Sequence, residues 1–155
     1  MQPVEPIQTV ELFPGLTAEL LNLLKRLPRA AWDNETVCVG WSVKDLVGHL
    51  LGGNLGRLSF GRDRLVLANA RAFPTTYPEQ VAYINQQNMD WVNWSRRISP
   101  NVLLDFLALT DEQLYAYFKA LPALATSGPA VSWAGDTQSP NWFDIAREYT
   151  EKWLH

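Results

Sequence analysis

Between residues 10 and 27 the apolar positions Leu12, Leu16, Leu20, Leu23, Leu24 and Leu27 recur three or four apart, the spacing of a helix with one buried face. Pro14 and Gly15 predict a kink or the true start of that helix. Residues 28–40 lose the period and read as a connection. In the run Trp41-Ser42-Val43-Lys44-Asp45-Leu46, Ser42 can accept from the amide three residues on while Asp45 reaches back, and Trp41 can staple against Leu46. A second helix therefore starts at Ser42 and runs to about Phe60.

Residues 71–78 read as a loop. Pro78 suits the first turn of a third helix that runs to about Arg97, with Val81, Ile84, Asn88, Trp91 and Ser95 on one stripe. Ser99-Pro100 marks another start, and residues 100–121 are helical by pattern. Thr110-Asp111-Glu112-Gln113 offers a fresh capping box there, so two short helices or one kinked helix both fit. Residues 122–139 form the longest irregular segment, and in a compact domain such a loop is often functional.

Ser139-Pro140 caps a last helix with Trp142, Ile145, Ala146, Tyr149 and Trp153 on an apolar stripe and Asp144, Glu148, Glu151 and His155 along an adjoining one. The pattern is still running at His155, which reads as a helix cut short or fraying at its end. No repeat, no low-complexity segment and no strand-like alternation interrupts this order. The expected class is all-α, a helix bundle in one domain over residues 1–155.

The second helix carries Gly48, Gly52, Gly53 and Gly56, each costing about 1 kcal/mol relative to alanine in a helix interior. Three of them fall at i+3, i+4 and i+7 from His49 and leave that face almost bare. Either another helix approaches closely there or a pocket opens.

Composition narrows the function classes. The chain is 47% hydrophobic and 19% charged, with seven Trp, five Tyr and six Phe, too apolar for a disordered tail. A net charge of −3, with basic residues scattered, provides no footprint for a phosphate backbone, so nucleic acid is not an expected partner. No apolar run approaches the roughly 20 residues that cross a bilayer, and no membrane partner is expected. Cys38 is the single cysteine. With no charged-then-apolar leader visible, a cytoplasmic protein is expected.

Of the two histidines, His49 lies on the second helix and His155 follows Glu151 by four residues on the last. Glu-x-x-x-His puts two ligand atoms on one helical face. Two histidines and one carboxylate projecting inward from facing helices are a recurring open metal site. The same spacing also makes an ordinary surface pair worth about 0.2–0.5 kcal/mol.

The segment Trp41-Ser42-Val43-Lys44-Asp45-Leu46-Val47-Gly48-His49-Leu50 resembles the second-helix signature of the DinB-like superfamily. The last helix, Trp142 to His155, resembles more narrowly the N-terminal domain of mycothiol-dependent maleylpyruvate isomerases, a branch in which glutamate replaces one histidine of the metal-binding triad. The resemblance covers essentially the whole chain and implies an up-down-down-up four-helix bundle with a short extra helix and a long loop before the last helix. It also implies a divalent-metal site of His49, Glu151 and His155, with zinc first and nickel or iron as alternatives. The open position would take a low-molecular-weight thiol such as mycothiol, for isomerisation or transfer onto a small-molecule electrophile. A homodimer is compatible with this class. A metal-dependent hydrolase or redox enzyme on the same residues, or a non-catalytic binding or dimerisation module, are the rival readings.

Asn88, an amide on an apolar stripe, is a candidate for substrate contact or for an inter-helix hydrogen bond. Arg57, two turns beyond His49, is a candidate for meeting a carboxylate. Asp144 and Glu148 could support the metal ligands, although Glu148 and Lys152 read first as an i, i+4 ion pair. Cys38, without a neighbouring histidine in sequence, reads as a small buried hydrophobe. Trp91, Trp94, Trp142 and Trp153 read as core.

Overall fold

A computed structural model describes residues 5–68, 72–127 and 138–155. These described residues contain five α-helices: α1 (Phe13–Arg26), α2 (Val43–Gly56), α3 (Tyr77–Ser95), α4 (Pro100–Ala120) and α5 (Asn141–Leu154). Short 3-10 turns at Val10–Leu12 and Arg29–Asp33 flank α1, and a π-helical turn, Arg57–Arg62, continues α2. No helix among the described residues is long and apolar enough to cross a membrane.

The starts follow from local chemistry. Ser42 accepts from the Asp45 amide at 3.2 Å, and the Asp45 carboxylate accepts from the Ser42 amide at 3.0 Å, so the predicted capping box forms. Burial pushes the Asp45 carboxyl up, but hydrogen bonds from Arg96 and Ser42 outweigh it and hold the group below the usual carboxylate range. Proline occupies the first turns of α1, α3 and α4, where its missing N–H is not needed. Pro14 thus marks a start, and the turn before it tightens to 3-10.

Two predicted details differ. The helix α4 runs unbroken through Thr110, because Thr110 and Asp111 are buried and hydrogen-bonded within the bundle, so neither acts as a cap. The last α-helical residue of α3 is Ser95, two short of the predicted end. The predicted irregular segment is described at residues 122–127 and 138–139, where Thr126 pairs with Pro140 in a single β-bridge. Its middle, 128–137, lies outside the described residues, as does Arg71 at the head of the predicted 71–78 loop.

Two apolar clusters organise the bundle. Leu24, Trp32, Val47, Leu50, Leu103 and Leu107 join α1, α2 and α4 at one end. Phe13, Leu58, Leu114, Phe118 and Ile145 form the other, with the Phe13 ring edge-on to Phe118 and Tyr149 at 5.4 and 5.6 Å. The tryptophan prediction fails in part: Trp94 and Trp153 are 51% and 64% exposed, Trp91 and Trp142 are half-buried, and among the described residues the tryptophan in the core is Trp32. Helical spacing places Trp94 and Trp153 on a stripe, but the bundle turns the outer edge of that stripe to solvent.

The glycine face of α2 serves both predicted purposes. A side chain at Gly48 would collide with Ser95 and one at Gly52 with Trp91, so these two glycines let α3 approach. At Gly53 and Gly56 an added Cβ would meet nothing within 4 Å. Gly48→Ala is therefore expected to destabilise the fold by about 1–3 kcal/mol, since crowding a packed seam outweighs the gain in helix propensity. Gly53→Ala is expected to stabilise it by up to about 1 kcal/mol. Urea unfolding of both variants measures the contrast, and equal effects would refute it.

Candidate metal centre

The three residues singled out for a metal come together. His49, from the middle of α2, and Glu151 and His155, from the end of α5, each offer a ligand atom, all within 4.8 Å of one another. His49 Nε2 lies 3.0 Å from Glu151 Oε1, and His155 Nε2 lies 3.1 Å from the same oxygen. A carboxylate can only accept, so each imidazole presents Nε2–H to it in the metal-free protein. The hydrogen bond from His49 first, with His155 adding to it, holds the Glu151 carboxyl below its ordinary range against the opposing push of burial.

Neighbours set the orientation of both rings. The indole of Trp41 lies against His49 with centroids 5.1 Å apart, and the His155 ring meets His49 edge-on at 5.2 Å. Trp41 closes a tight turn in which its amide donates to Cys38 O at 2.9 Å. Gly40, at φ 80°, makes that turn possible because it needs a left-handed backbone. The turn carries Cys38 Sγ to 3.8 Å from His155 Nδ1. The reading of Cys38 as a small buried hydrophobe is thereby corrected: the thiol is half-buried against an imidazole 117 residues away, a proximity that no local spacing reveals.

A cavity of about 420 Å³ opens beside the triad, lined by His49 and Glu151 and, among others, by Tyr77, Ile84, Asn85, Asn88 and Arg147. Asn88 is among the residues that line the cavity. Arg57 does not line this cavity. Its guanidinium donates to both Asp144 oxygens at 2.7 Å and to Glu148 at 2.6 Å, so a substrate carboxylate would compete with two side-chain carboxylates for it. Burial lowers the Arg57 pKa, but Glu148 and Asp144 outweigh it, and the group is held above its ordinary value.

The predicted Glu148–Lys152 ion pair does not form. Glu148 bonds Arg57, and Lys152 turns into the bundle, where it pairs with Asp111. Helical spacing allowed the i, i+4 pair, but each partner found a more buried counter-ion. Sequence reasoning missed this polar knot: the Asp111 carboxylate accepts from Lys152, from Asn54 Nδ2 at 2.6 Å and from Thr17 Oγ1 at 3.1 Å, joining α1, α2, α4 and α5. A signal was present in Asp111 and Lys152, polar residues on otherwise apolar helix faces.

Fold and centre together define a DinB-like helical bundle with a cluster of two histidines and one carboxylate across α2 and α5. The chain belongs to the mycothiol maleylpyruvate isomerase N-terminal domain family, whose model matches residues 13–155. The crystal structure of the mycothiol-dependent maleylpyruvate isomerase superposes with a TM-score of 0.66 at 11% identity, covering 94% of this chain and 57% of that one. A histidine-to-alanine mutant of that enzyme gives the same TM-score at 10% identity, with the same coverage. This chain thus spans little more than half the length of those solved proteins. No curated protein matches it in sequence.

Proposed function

We propose that the chain binds one divalent metal ion, with zinc as the first choice, through His49, Glu151 and His155, and uses it to activate a low-molecular-weight thiol such as mycothiol toward a small-molecule electrophile. The observation that carries this reading is the convergence of three ligand atoms from two helices within 4.8 Å. Tetrahedral ligands bound at about 2.0–2.1 Å stand about 3.3 Å apart, close to the 3.0 and 3.1 Å that separate the two histidine Nε2 atoms from Glu151 Oε1. The donor set fits the ion. A divalent ion held this way leaves an open position at which a thiol loses its proton near neutral pH.

The protein's own groups have separable tasks in this reading. His49 and His155 would hold the ion through Nε2, which requires each ring to carry its proton on Nδ1 instead. Trp41 and Cys38 hold the two rings in orientation. Asn88 and Asn85 offer amides to a polar substrate group along the cavity wall. Arg57 bridges α2 to Asp144 and Glu148 and so fixes α5, which carries two of the three ligands.

Metal analysis of the purified chain is expected to find about one divalent ion per chain after incubation with zinc. The cobalt-substituted protein is expected to gain a thiolate charge-transfer band when thiol is added. Absence of bound metal from zinc-, nickel- and iron-treated protein would overturn the proposal. Metal without a thiol band would leave the metal site and remove the thiol.

A further inference from the structure

The geometry points to a second subsite, continuous with the metal centre, that binds the anionic tail of an extended ligand. This rests on the proposed function for the ligand's reactive end alone. A cavity of about 810 Å³ lies beyond the first, and Gly53, Asn88 and Glu148 line both. The two are lobes of one trough along α2.

Three observations mark the far lobe as built for a ligand. The first is the glycine pair: Gly53 and Gly56 contact nothing that an added Cβ would touch, so packing does not explain residues that each weaken a helix by about 1 kcal/mol. They keep the trough floor flat. The second is the backbone beyond them, where α2 widens into the π-helical turn Arg57–Arg62, a distortion that favours functional sites. Arg64 follows at φ 54°, a left-handed conformation that is strained for a side-chain-bearing residue. The third is charge. Arg57 is shared between Asp144 and Glu148, whereas Arg64 lines the lobe and makes no ion pair among the described residues. One guanidinium is left to meet an anion.

The walls between the two ends are polar and aromatic, with Asn88, Tyr117 and Trp91 among the lining residues. From His49 to Gly56 the helix rises about 10 Å, and Arg64 lies further along the chain. The ligand class is therefore an elongated, hydrogen-bonding small molecule longer than about 10 Å, with a carboxylate or phosphate at the end remote from the metal.

Calorimetry on the zinc-loaded full chain tests this with 4′-phosphopantetheine, a long thiol ending in phosphate, pantetheine, its uncharged counterpart, and cysteamine, a short thiol. Phosphopantetheine is expected to bind at least tenfold tighter than pantetheine, and Arg64→Gln to remove that preference while cysteamine binding and metal content stay unchanged. Gly56→Leu, which restores helix propensity and fills the far lobe alone, is expected to weaken both long thiols tenfold or more and to spare cysteamine. Glutathione, which carries carboxylates, distinguishes that anion from phosphate. Equal binding of long and short thiols, or indifference to Arg64→Gln, overturns the subsite. If no thiol binds, the thiol reading falls, and 4′-phosphopantothenate, which has none, still reports on the subsite: Arg64-dependent binding supports it, and no binding refutes it.

Discussion

Asp111→Ala is expected to destabilise the protein by about 3–5 kcal/mol, a large fraction of the 5–15 kcal/mol typical of a domain. Asp111 itself contributes little by being charged. The effect comes from what its removal leaves behind. The Lys152 ammonium, on a side chain only 4% exposed, would remain in the interior with its counter-ion gone. The Asn54 amide at 2.6 Å and the Thr17 hydroxyl at 3.1 Å would lose their acceptor as well. A buried pair returns little net stability when intact, because its desolvation cancels most of the attraction, but breaking it from one side exposes the full penalty. The double variant Asp111→Leu/Lys152→Met, which removes both charges and keeps volume, is thus expected to recover most of the loss. Urea unfolding of the three proteins measures this. A single-variant loss under about 1 kcal/mol would show that water reaches Lys152 in solution.

The second large effect concerns the metal. His49→Ala is expected to weaken zinc binding by more than about a hundredfold, beyond the 10–100-fold typical when a group supporting a ligand is lost. His49 is the single triad member on α2, so without it the ion would be held by Glu151 and His155 alone, one turn apart near the end of α5. The apo fold should change little, since the His49–Glu151 hydrogen bond of 3.0 Å has one partner 52% exposed and such pairs add at most about 1 kcal/mol. Competition with a chromophoric chelator gives the affinity, and circular dichroism of the metal-free protein gives the fold. Unchanged zinc affinity in His49→Ala, with wild type binding metal, would move the site elsewhere.

These two predictions differ in how far the sequence foretold them. The triad was legible because each part is local: Glu151 and His155 are one helical turn apart, and His49 sits at a fixed distance from a capping box that sets the start of its helix. The family signature then joined the two helices. Asp111 and Lys152 are 41 residues apart, and Asp111 sits in a run whose spacing also reads as a cap. Only the facing of α4 toward α5 decides that its carboxylate is buried rather than capping. Lys152 in turn was assigned to Glu148 by helical spacing, a rule that holds when both side chains stay in solvent.

The same division holds for the apolar residues. Periodicity located each of the five described α-helices, yet it placed Trp94 and Trp153 in the core although both are exposed. A stripe of spacing 3.6 is wider than the face a neighbour can cover, and its edge residues are assigned by packing. Gly48 and Gly53 show this within one helix, since the sequence marks both as anomalies and only the position of α3 distinguishes close approach from open trough.

What the chain's order of residues determined by itself was the helices, their starts and the chemistry available on each face, because capping, proline placement and amphipathic period act within a few residues. What only the tertiary structure decided was pairing: Cys38 with His155, Arg57 with Asp144 and Glu148, Lys152 with Asp111. The burial that gives those contacts their energy exists once helices distant in sequence have packed together.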